Sequence, residues 1–86
     1  MNQLEVLRES LGQCDEIILD ALLMRNRIVE DIMVYKEANN VPILQPEQEA
    51  KQREWLNRRM EGRRHKDEVS DVFECIRTNS KRIQAR

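Results

Sequence analysis

From Gln3 to Ala38 the chain has no proline and a single glycine, Gly12. A helix tolerates one glycine at modest cost. The stretch therefore predicts one continuous helix, roughly 54 Å long at 1.5 Å per residue. The whole chain has 86 residues, too few to wrap a helix of that length inside one globule. The helix is expected to project from its own subunit and to be covered by a second copy. A domain this small also buries little surface alone, so oligomerisation is the expected way to enlarge its core.

The remaining elements follow from the punctuation. Asn39, Asn40, Val41 and Pro42 end the first helix, since Asn favours turns and the residue before proline is pushed out of the α region. Pro46 suits the first position of a second helix, with Glu47 and Glu49 in the first turn, where the helix dipole favours negative charge. That helix is expected to run to about Glu61, with Gly62 as its cap. Asp67 is the candidate N-cap of a third helix from Glu68 to about Gln84. With two glycines and two prolines in all and no β-branched clusters, the chain reads as all-α. One domain over residues 1–86 is expected, with one long helix and two shorter ones in an intertwined homodimer.

Charge narrows the function classes. Fifteen Lys and Arg face 16 Asp and Glu, and the aromatics are Tyr35, Trp55 and Phe73 alone. A nucleic-acid binder would show a basic face and stacking aromatics, so that class is set aside. The basic cluster Arg58, Arg59, Arg63, Arg64, His65 and Lys66 reads as a solvated helix end and turn. Glu5, Arg8, Glu9, Asp15 and Glu16 interrupt the first twenty residues, so neither an apolar leader nor a membrane span is expected there. Cys14 and Cys75 read as free, buried thiols of a cytoplasmic protein.

Inside the first helix, Leu4, Leu7, Leu11, Cys14, Ile18, Ala21, Arg25, Ile28, Ile32 and Tyr35 follow steps of three and four, a sustained apolar seam. Arg25 breaks it. A guanidinium on an apolar seam is costly unless it meets an anion, which an interhelical salt bridge or a ligand could supply. Lys36 lies eleven residues on, about three turns and 16 Å away, nearly on the same line of the helix. Two long cationic side chains so placed can converge on one small ligand. Arg8 lies about 25 Å before Arg25 and is rotated off that line, so it can serve the same pocket only from an antiparallel neighbour. In the third helix, Val69, Phe73, Ile76 and Ile83 form a seam interrupted by Ser80, with Gln84 one turn beyond Ser80. The second helix carries Arg53, Leu56 and Met60 on its seam, with Glu49 at the N-terminal end. Polar groups entering from three helices suggest a cavity for a charged ligand. There is no Cys–His or Ser–His constellation, metal-ligand cluster or glycine-rich phosphate loop, so no metal or other cofactor is expected. His65, the single histidine, is expected at the surface.

These residues resemble the all-helical AroQ-type chorismate mutases over essentially the whole chain. The resemblance rests on Leu7-Arg8-Glu9, Asp15, Leu22-Leu23-Met24-Arg25, Ile28-Val29 and Lys36 in the first helix. It continues through Pro42-Ile43 and Gln45-Pro46-Glu47-Gln48-Glu49, and the spacing from Phe73 through Ser80 to Gln84. It implies rearrangement of chorismate to prephenate, in phenylalanine and tyrosine biosynthesis, by a homodimer with shared sites.

The resemblance also implies roles for particular residues. Arg25 would bind a carboxylate within its own subunit, and Arg8 would reach in from the partner subunit. Lys36 would contact a carboxylate and the ether oxygen, and Gln84 would hydrogen-bond that oxygen from the other side. Glu49 would bind the ring hydroxyl, and Ser80 would lie beside a carboxylate. Gln45 and Gln48 stand where the family commonly has Asp and Arg, which implies a weaker hold on substrate without loss of activity. An isochorismate–pyruvate lyase shares the fold and most of the cations; Glu49 with Gln84 favours the mutase. A non-catalytic helical dimerisation module would instead pair Arg25 with Glu or Asp.

Overall fold

The computed structural model describes residues 2–85, which form three helices and no strand: α1 (Gln3–Asn39), α2 (Pro46–Arg59) and α3 (Lys66–Gln84). Asn2 caps α1, its side-chain oxygen accepting the Glu5 backbone N–H at 2.8 Å. Asn40 ends it in the left-handed region at φ 56°, a conformation Asn tolerates better than most residues. The backbone N–H groups of Asn40 and Val41 both turn back to the Lys36 carbonyl. Pro46 opens α2, where its missing N–H leaves no bond unmade.

Two boundaries differ from the sequence reading. α2 ends at Arg59, with Met60 as its cap, and Gly62 sits in the following turn at φ 72°. α3 begins at Lys66, after His65 at φ 64°, so Asp67 stands inside the first turn instead of capping it. There its charge still complements the helix dipole. His65 is exposed, 3.9 Å from Glu68.

The molecule measures 56 × 27 × 15 Å, its long dimension matching the length of α1. Its radius of gyration is 16.5 Å, whereas a compact chain of this size would have roughly 12 Å. The C-terminal half of α1 packs against α3, and α2 is tied to α3 by the edge-on contact of Trp55 with Phe73. Among the described residues only Val29 and Leu56 are buried apolar side chains, while Lys36, Arg77 and Ser80 are buried polar ones. The centre of the single chain is therefore as much a polar site as a core.

Val29 and Lys36 are the buried residues of α1, with Leu22, Arg25 and Met33 half-buried on the same side. Ile28, Ile32 and Tyr35 of the expected seam lie one residue round from that side and are exposed in the single chain. Arg53 likewise leaves the expected α2 seam for an exposed ion pair with Glu74. Leu4, Leu7, Leu11, Ile18, Leu23 and Ile28 are all half or more exposed, forming an apolar surface along α1. Cys14 and Cys75 are free, as expected, but exposed instead of buried. Cys14 lies on the projecting half of α1, and Cys75 borders an open groove between α1 and α3. No described helix is long and apolar enough to cross a membrane.

Candidate active site

α1, the loop before α2, α2 and α3 enclose a cleft of about 270 Å³, near the lower end of the roughly 300–1,000 Å³ typical of small-ligand sites. Arg25, Lys36, Gln45, Glu49, Ser80 and Gln84 all line it. Arg8 does not; it is exposed on the projecting half of α1. The α-helical period explains the first pair, since eleven residues bring Lys36 back onto the line of Arg25.

Lys36 is anchored from two sides. Its ammonium donates to the Ile43 carbonyl at 3.0 Å and to the Gln84 side-chain oxygen at 2.7 Å. An ammonium has three N–H groups, so one remains for a ligand. Because the Gln84 oxygen accepts from Lys36, the amide nitrogen is left as its donor end; its contact to the Ser80 carbonyl is long, at 3.4 Å. Two adjacent donors, one cationic and one neutral, are thus held at the same wall.

Arg25 donates to the Ser80 hydroxyl, which in turn donates to the Ile76 carbonyl at 2.9 Å. The hydroxyl fixes the guanidinium without neutralising it. Burial first, and then the nearby Arg77 guanidinium, lower the proton affinity of Arg25 below its ordinary value. Both effects disfavour the charge, and an entering carboxylate would relieve them. Within the single chain no Asp or Glu pairs with Arg25 among the described residues.

Three lining residues were missed as contributors. Lys81 pairs with Glu49 across α2 and α3, Arg77 adds a second guanidinium near Arg25, and Gln52 lies one turn beyond Gln48. The signal was present: Arg77, Ser80, Lys81 and Gln84 stand at i, i+3, i+4 and i+7, one face of a helix. Four cations and one carboxylate therefore line the cleft.

The cleft wall is helical and rich in cations, an electrostatic setting that suits a small anion. Comparison with family models agrees: residues 7–85 match the model of chorismate mutase type II. The chain belongs to that family and is an isomerase of its kind. Comparisons with curated proteins and with solved structures gave no match.

Proposed function

We propose that the cleft rearranges chorismate to prephenate, in a homodimer whose partner chain completes each site. The observation that carries this reading is the Lys36–Gln84 pair, two preorganised donors side by side, with the Arg25 guanidinium on the same wall of the cleft. The reaction is a Claisen rearrangement. A carbon–oxygen bond breaks as a carbon–carbon bond forms, without proton transfer or covalent enzyme intermediate. It needs a flexible dianion folded into its reactive shape and negative charge stabilised on the departing ether oxygen.

Arg25, set by Ser80, serves the first need by holding a carboxylate in one orientation. The free N–H groups of Lys36 and Gln84 serve the second, since donors fixed in place need no reorganisation as charge develops. Glu49, steadied by Lys81, is the acceptor for the ring hydroxyl, with Gln45 beside it at the same end.

The apolar length of α1 supports a homodimer. A monomer with two buried apolar side chains among its described residues has little to hold it together, and a second copy could cover Leu4 through Ile28. An antiparallel α1 would also bring Arg8 of the partner subunit to the cleft, spanning the ~25 Å that separates Arg8 from Arg25 within one chain. A role in phenylalanine and tyrosine formation in the cytoplasm follows from the same reading.

The test is product identification from chorismate and, separately, from isochorismate. Prephenate from chorismate is the expected result. Pyruvate released from isochorismate with chorismate untouched would establish the lyase instead.

A further inference from the structure

Arg77 is the least explained cation in the cleft. Its side chain is only 7% exposed, yet its Nε has no hydrogen-bond partner. One of its terminal nitrogens donates to Glu74 Oε1 at 2.7 Å, but that oxygen is already shared with Arg53 Nε at 2.7 Å. Arg53 also takes the second oxygen of Glu74, at 3.1 Å. One carboxylate outside the cleft wall thus serves two guanidiniums, and the exposed one holds it with two bonds. Arg77 is left buried, incompletely paired, on the cleft wall and close to Arg25. Two neighbouring guanidiniums with less than one full counter-charge between them are a site prepared for an anion.

We propose that Arg77 is a second carboxylate-binding guanidinium, closing with Arg25 on the same carboxylate of the substrate from α3 and α1. The assignment rests on the chorismate mutase reading above. It also gives the chain a cation on α3 for the charge that Gln48 does not provide on α2. Arg77 orients the substrate and stands apart from the ether-oxygen donors, so its loss weakens binding more than turnover.

The experiment compares the unaltered protein with Arg77→Met and Glu74→Gln, each checked for helicity and oligomeric state. Steady-state kinetics with chorismate are paired with binding of a bicyclic dicarboxylate shaped like the transition state. Binding is also measured for its two analogues with one or the other carboxylate made a carboxamide. Arg77→Met is expected to raise KM about 10- to 100-fold, the value of a charge-assisted hydrogen bond, with kcat changed much less. It should weaken the dicarboxylate and one monoamide similarly, and leave the other monoamide bound as by the unaltered protein. Glu74→Gln should leave KM unchanged or lower it, because it removes a competing anion.

Unchanged KM in Arg77→Met would overturn the assignment, as would equal weakening of all three ligands. So would a Glu74→Gln variant with the same defect, since Arg77 would then act only through its helix contacts. If Arg77→Met does not fold, Arg77→Lys takes its place. A smaller rise in KM supports the assignment there, and unchanged KM overturns it. An unaltered protein that neither consumes chorismate nor binds the dicarboxylate would remove the function reading itself. Activity with an indifferent Arg77 removes only this inference.

Discussion

The Lys36 ammonium and the Gln84 side-chain oxygen meet at 2.7 Å, and that bond decides which way round the Gln84 amide is held. With its oxygen occupied, Gln84 faces a ligand as a donor. A glutamate at this position would still accept from Lys36, but as a carboxylate it has no proton to give. Gln84→Glu is therefore expected to lose ~10²–10³ in kcat at neutral pH. The rate should recover as pH falls, because the protonated carboxyl donates an O–H. A pH–rate profile reads this directly; normal turnover at neutral pH would show that donation from residue 84 is not used.

Glu74 supplies a second pH signature, this time in stability. The Arg53 guanidinium, then that of Arg77, hold its carboxyl at about 2, down from an ordinary 4.5. A depressed folded value means stabilisation present above the unfolded value and lost as pH falls through the folded one. Glu74→Gln should melt below the unaltered protein near neutral pH, and the two should converge between pH 4.5 and about 2. Melting temperatures taken across that range check it. Curves that stay a constant distance apart, or coincide, across that range would mean that ionisation of Glu74 contributes nothing to folding.

A site completed by the partner chain, as proposed, is open to complementation. Arg8→Ala and Lys36→Ala proteins, each nearly inactive alone, are expected to recover activity when unfolded together and refolded. A hybrid dimer carries both changes in one site and neither in the other. Random pairing in a two-fold dimer should then restore about a quarter of the unaltered activity. No recovery, with hybrids shown to form, would place Arg8 outside the partner's site.

Much of the fold was legible because strong local signals agreed with one another. An unbroken α1, the Asn39–Pro42 stop and Pro46 at the start of α2 each act through backbone chemistry that tertiary packing did not override. The Arg25–Lys36 alignment was legible for the same reason, being a property of the helix alone. The face of α1 that packs on α3, through Val29 and Lys36, was not. Apolar residues crowd α1 on more than one face, so periodicity could not separate the face towards α3 from the one left exposed. His65 adopted a left-handed conformation that nothing in its neighbours announces, displacing Asp67 from the cap. Arg77 and Lys81 share a helix face with Ser80 and Gln84, yet charged residues on a short helix ordinarily read as its solvent face. Burial of Arg77 shows only once α1 lies against α3.

The proposed role of Lys36 is tested most directly by the rate of chorismate loss with Lys36→Ala. The variant should keep its helical signal, since Lys36 holds one loop carbonyl and one side chain and no apolar core. Turnover is expected to fall by at least ~10²–10³, the usual cost of removing a donor aimed at developing negative charge. Turnover close to that of the unaltered protein, from a folded Lys36→Ala, would contradict that role.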